Sequence, residues 1–230
     1  MLILGIDLSS QPRDTAACIM ECREGKLIAE LPQLGCDDAK LDELIARADA
    51  VGIDAPFGWP QAFVEVVAGW ISPTWDTTLR DRLRFRLTDL EVTGQTGLRP
   101  LSVSTDQIAL PAMRAMALLH RHGVIDKSGD GRFFEVYPAA SLFCWKLPHR
   151  GYKGATADRR TGRQSMLERL RERIPGLSVS NEYAVTDHGL DALVAALTTA
   201  AATEGKTLLP AAEQLPAARM EGWIHLPTQA

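Results

Sequence analysis

The chain has 230 residues, 46% of them hydrophobic and 23% charged, with a formal net charge of -4. That suits one elaborated domain with its own core and excludes disordered or collagen-like chains. A pI near 5.8 also excludes long-range attraction of the whole molecule for polyphosphate, so contact with nucleic acid requires a local basic surface.

Leu2 to Asp7 is an apolar run ending in an acid. Strand-length pieces follow at Asp14 to Glu21 and Lys26 to Leu31, separated by the turn-like Gln11-Pro12-Arg13 and Arg23-Glu24-Gly25. Three successive strands with short connections predict an antiparallel meander. Leu41, Leu44, Ile45 and Ala48 recur at helical spacing, and Ala50 to Asp54 is another apolar strand ending in an acid, ahead of Ala55-Pro56. Together they read as a strand-helix-strand unit. Pro60 suits the first turn of a helix through Gly69, and Leu79, Leu83, Leu87 and Leu90 predict one more helix with arginines on its outer faces. Thr93 to Ser104 reads as loop, Ala112 to His120 as helix, and Arg132 to Val136 as a strand broken at Pro138. Lys146 to Arg173 holds nine Lys/Arg against three acids. Thr186-Asp187 reads as a helix cap before a nearly all-apolar helix, Gly189 to Thr203, interrupted by Asp191; Gly222-Trp223-Ile224 is expected to dock on the body.

Cys18, Cys22, Cys36 and Cys144 contain no C-x-x-C pair, and Cys18 and Cys22 fall on a strand, roughly 13 Å apart, too far to share a metal. Reduced thiols are expected, and no zinc site. The apolar start reaches Asp7 after six residues, short of a signal sequence or membrane span, so the expectation is a cytoplasmic protein without membrane contact.

Four acids stand in apolar surroundings: Asp7, Asp54, Glu135 and Asp191. An unpaired carboxylate buried there is either strongly destabilising or neutralised, so each needs a cation or donors beside it. Acids at the carboxyl ends of neighbouring strands, joined by one on a helix packed against the sheet, can converge on one crevice and bind hard divalent cations through oxygen. Magnesium or manganese is the natural occupant.

Six pieces in order, Gly5-Ile6-Asp7-Leu8, Gly52-Ile53-Asp54-Ala55-Pro56 with Gly58 and Pro60, Phe134-Glu135-Val136-Tyr137-Pro138-Ala139-Ala140, Gly151-Tyr152-Lys153, Asp187-His188-Gly189-Leu190-Asp191-Ala192-Leu193 and Glu221-Gly222-Trp223-Ile224, span almost the whole chain. With them the sequence resembles the predicted-nuclease family known as domain-of-unknown-function four-two-nine, to which a ribonuclease H-like fold is assigned. The resemblance implies a single α/β domain over 1–230 with a mixed sheet, an antiparallel meander followed by strand-helix-strand units, helices on both faces and a helical or loop insertion at about 60–130. It implies a metal-dependent nuclease that hydrolyses phosphodiester bonds by a two-metal carboxylate mechanism, with Asp7, Asp54 and Asp191 as ligands, Mg2+ or Mn2+ as cofactor and DNA or RNA as partner. A homodimer is compatible with it. Glu135 matches the family's Glu-Val-Tyr-Pro motif and is placed as a further ligand or a water-positioning base. His188-x-x-Asp191-Ala-Leu is similar to the late-helix pattern of Holliday-junction resolvase-type nucleases, and helical spacing lets Asp191 share a face with His188 or Asp187.

Structural readings stand beside these roles. Asp7 could accept hydrogen bonds from a turn at Ser9-Ser10, Asp54 could form an Asx turn, and Glu135 could pair with Arg132 or Arg99. Asp191 has no local arginine partner, Asp187 suits a cap better than a ligand, and His188 divides between ligand or proton shuttle and a hydrogen-bonder near the cap. Lys153 could neutralise a substrate phosphate or be one charge of a solvated face. Arg80, Arg82, Arg84 and Arg86 point in several directions, partly neutralised by Asp81 and Asp89, while Trp59, Trp70, Trp75, Phe57 and Phe63 could stack bases but suit packing better. Asp7-Leu8-Ser9-Ser10 is also compatible with an actin-like ATP phosphotransferase, although the chain is short for two such halves and has no G-x-x-x-x-G-K. A third alternative is a non-catalytic metal-binding scaffold. With no strongly basic groove evident, a short, structured or small nucleic acid fits better than long duplex.

Overall fold

The computed structural model describes residues 1–69 and 74–228. β1 (Leu2–Asp7), β2 (Ala16–Arg23) and β3 (Lys26–Ala29) form the antiparallel meander, with the short β4 (Gln33–Leu34) paired to the start of β2. The helix α1 (Asp38–Arg47) begins where the Asp37 carboxylate accepts the Lys40 N–H, and it leads into β5 (Ala50–Asp54), which lies parallel to β1 with Asp7 and Asp54 in register. Between β5 and the next strand run α2 (Gln61–Gly69), α3 (Thr77–Arg84), α4 (Leu87–Thr96) and α5 (Ala109–Arg121). β6 (Phe133–Glu135) then adds parallel to β5. α6 (Pro138–Cys144), α7 (Ala157–Arg173), β7 (Leu177–Ser178), α8 (Asp187–Thr203) and α9 (Leu215–Glu221) complete the chain. The result is a mixed seven-stranded sheet in the order β6-β5-β1-β2-β3-β7, with β4 alongside β2.

Side chains alternate across the strands, so each buried strand feeds two cores. Ile3, Cys18 and Met20 pack under α8 and the Met166, Leu167 and Leu170 stripe of α7. Leu4, Ile6, Ile19, Val51 and Ile53 pack on the other face against Leu41, Leu44 and Ile45 of α1 and Ala115, Leu118 and Leu119 of α5. Helices therefore cover both faces.

α8 sits unusually close to the sheet, for a reason written in two glycines. Gly5 of β1 and Gly52 of β5 are register partners. A methyl on Gly5 would run into the Ala192 carbonyl and the Ala196 amide, and one on Gly52 into the Thr199 hydroxyl and the Ala195 carbonyl. The missing side chains form a trough, and the small residues of α8 let its backbone settle there.

Several boundaries differ from the sequence expectation. The single helix expected through Leu79, Leu83, Leu87 and Leu90 is two, parted at Phe85 and Arg86, both in extended conformation. The cause is Arg86, which is buried instead of facing outward: it pairs with Asp89 and Glu135, and Asp89 also accepts its backbone N–H. Thr93 to Thr96 belongs to α4, and the loop starts at Gly97, whose φ of 71° ends the helix. The second strand starts at Ala16 because Pro12–Asp14 forms a 3-10 turn. At the C-terminus Trp223 is buried and Ile224 bridges to Glu135, so this segment docks as expected. The four cysteines are free. No helix among the described residues is long and apolar enough to cross a membrane.

Candidate metal centre

The alternation that buries Ile3 and Ala50 beneath α8 also directs Gly5 and Asp7, and Gly52 and Asp54, to that face. The trough at the glycines draws α8 in, and Asp191, one turn before Ala195, then lies above the strand ends. The outcome is a carboxylate cluster: one oxygen each from Asp7, Asp54 and Asp191 lies within 4.8 Å of the others.

Each carboxylate is held differently. Asp7 Oδ2 is 2.7 Å from His188 Nδ1, and that hydrogen bond raises the imidazole above its ordinary pKa. Asp191 accepts the Tyr152 hydroxyl on Oδ1 at 2.7 Å and the Lys153 ammonium on Oδ2 at 2.8 Å. Asp54 receives no hydrogen bond or ion pair among the described residues, although it faces a cavity of about 480 Å³. Burial pushes the Asp7 carboxyl up to about 6 against the pull of His188, and burial followed by the Asp7 charge holds Asp54 well above the carboxylate range. Burial works against the Lys153 ammonium, but Asp191 and Asp54 outweigh it and hold its pKa high. Three acids thus share one lysine and one histidine, and Asp54 keeps its oxygens free. An all-oxygen, under-neutralised set of this kind fits a hard divalent cation such as magnesium or manganese.

The other sequence candidates sort themselves by contact. His188 shares the helix face of Asp191, as its spacing implied, and acts on Asp7. Lys153 reaches the cluster. Glu135 lies outside the cluster: Arg86 binds both its oxygens, at 2.7 and 2.9 Å, and the Phe57 N–H donates to one of them. Its partner is neither Arg132, which binds the carbonyls of Ile45 and Ala48, nor Arg99, which stacks on Phe85. Asp187 stands outside the cluster: Thr186 caps α8, and Asp187 accepts the Gly154 N–H. Of the aromatic residues, Phe57 is core, Trp75 is exposed next to Phe63 and away from the carboxylates, and Trp70 lies outside the described residues.

Two contributors had no sequence role. Tyr152 stood beside Lys153 in its motif, and only the fold reveals its bond to Asp191. Arg163 sits in the basic stretch yet is buried, and its guanidinium donates to the carbonyls of Tyr152, Gly154, Ala184 and Val185. It fastens the Tyr152-Lys153 loop to the run-up to α8. Nothing in a basic helix distinguishes such an arginine from a solvated one until burial is known.

The sequence profile of a family described as "Protein of unknown function (DUF429)" matches residues 5–215. No curated protein and no solved structure matches the chain.

Proposed function

Given that the chain belongs to the DUF429 family, and that Asp7, Asp54 and Asp191 meet beside a cavity with the Asp54 carboxylate free, we propose that it is a divalent-metal-dependent nuclease of ribonuclease H-like fold. The convergence of three carboxylates from β1, β5 and α8 carries this reading. A meander extended by two parallel strands, acids at the ends of the first and of its parallel neighbour, and a late helix bringing the third are the features that favour the ribonuclease H-like assignment. The family's own description leaves the activity open.

Asp7, Asp54 and Asp191 would hold the metal. When bound, magnesium or manganese supplies Lewis-acid polarisation of a phosphoryl oxygen and a water of lowered pKa. The chain's own residues prepare for that. His188 fixes the rotamer of Asp7, Tyr152 and Lys153 fix that of Asp191, and Arg163 fixes the loop from which Tyr152 and Lys153 reach in. Lys153 would set its positive charge against a phosphate arriving over Asp191.

The test is a screen of single-stranded, branched and duplex oligonucleotides with manganese, beside Asp7→Asn and Asp191→Asn. Each variant should lose cleavage by about a hundredfold or more while keeping its circular dichroism spectrum, because each removes one ligand charge. Each should also lose the rise in melting temperature that millimolar metal gives the wild type. Undiminished cleavage in both variants refutes the assignment. Metal stabilisation of the wild type with no cleavage of any substrate would favour a non-catalytic metal-binding domain.

A further inference from the structure

The cavity of about 480 Å³ in front of the carboxylates is lined by two unlike sets of residues. One set is Asp7, Ser9, Asp54 and Lys153; the other is Pro100, Leu101, Ile108 and Pro111 from the loop after α4 and the start of α5, and Tyr137 also lines the cavity. The insertion between β5 and β6 therefore adds an apolar wall to the cavity beside the carboxylates. Its positive charges are already engaged: Lys153 with Asp191, and Arg86 with Glu135 and Asp89. Two cations, each shared with an acid, do not make the row of phosphate contacts that holds duplex nucleic acid. Tyr137 is the aromatic ring of the lining, and among the described residues its hydroxyl makes no hydrogen bond.

We propose that this chamber takes one unpaired nucleotide unit, its base against the apolar wall and Tyr137 and its phosphate toward Asp54 and Lys153, so that the site selects single-stranded over base-paired nucleic acid; this rests on the nuclease reading above. A chamber of this size is ordinary for one drug-sized ligand. A base in a duplex reaches such a pocket only by leaving the stack. Contact through the faces of a base is indifferent to sequence, and a single nucleotide brings one phosphate instead of a row of them, which agrees with an acidic molecule.

Binding, not turnover, tests this. The anisotropy of a short fluorescein-labelled single strand is titrated with the full chain in calcium, with strand integrity checked on a gel, and compared with the same strand annealed into a blunt duplex. The single strand should bind about tenfold tighter or better. Leu101→Ser combined with Ile108→Ser should remove most of that preference at an unchanged melting temperature, while Leu101→Met retains it. Displacement by a nucleoside monophosphate would identify the free nucleotide as sufficient ligand; resistance to it would identify the polymer. Equal or tighter duplex binding, an unaltered preference in the folded double variant, or no binding of any probe overturns the inference. Wall-dependent binding without manganese-dependent cleavage by the wild type leaves this inference standing and defeats the hydrolytic reading. Equal cleavage of both forms does the reverse.

Discussion

Arg86 and Glu135 show how a charged residue is judged by what surrounds it. Arg86 is 2% exposed and binds Asp89 and Glu135 together, and Gly222, with a φ of 97°, passes so close that a side chain there would strike the Glu135 carboxylate. Glu221, the residue before it, accepts the backbone N–H groups of Gln61 and Leu87. The group ties α4, β6, α9 and the C-terminal segment into one unit behind the cavity. Arg86→Met leaves Asp89 and Glu135 buried without a cation and should cost about 3–5 kcal/mol in urea denaturation. A loss below about 1 kcal/mol would mean that the pair is not a strut. The sequence marked Glu135 through its Glu-Val-Tyr-Pro motif, but its partner lies 49 residues away, a pairing local pattern does not reveal. For the three aspartates the apolar context was itself the signal, since a buried acid requires compensation wherever it sits.

Among elements, α8 and its trough decide whether the carboxylates meet. Its length and burial were legible, because a run such as Leu190 to Leu197 broken only by Asp191 buries on nearly every side. Its closeness to the sheet depends on Gly5 and Gly52 being neighbours, which follows from strand pairing. Gly5→Ala drives a methyl into the backbone of α8, which cannot rotate away, and should destabilise by about 1–3 kcal/mol or more. It should also weaken metal-induced stabilisation, even with all three acids intact. Gly94 is the control: exposed within α4 with open space around it, its change to alanine should stabilise by about 0.5–1 kcal/mol. Equal effects of the two substitutions, read from melting curves, would contradict the trough. The division between α3 and α4 was hidden for a related reason. A leucine every three or four residues satisfies helical periodicity, and only the demand of Arg86 for buried partners interrupts it.

For the molecule as a whole, closure depends on the C-terminal segment, where His225 joins distant parts of the chain. Its ring lies between Thr207 Oγ1 at 3.0 Å and the Ser128 carbonyl at 3.2 Å, edge-on to Phe134, and burial pushes its pKa down to about 4. The unfolded chain, with an ordinary imidazole near 6.5, therefore binds more protons between pH 6.5 and 4. Stability from this group is whole above that window and falls as pH drops through it, by at most about 1.4 kcal/mol per pH unit. Urea midpoints at pH 7, 6 and 5 should fall less steeply for His225→Gln than for wild type; parallel curves would place the acid sensitivity elsewhere. The sequence by itself determined the meander, the strand-helix-strand unit, the buried late helix and the identity of Asp7, Asp54 and Asp191 as acids out of place, because alternation, periodicity and the expense of burying charge act over a few residues. Only the tertiary structure decided that Glu135 belongs to Arg86, that Tyr152 and Arg163 hold Asp191 and its neighbouring loop and that a cavity with an apolar wall lies beside the carboxylates, because those depend on which distant segments become neighbours.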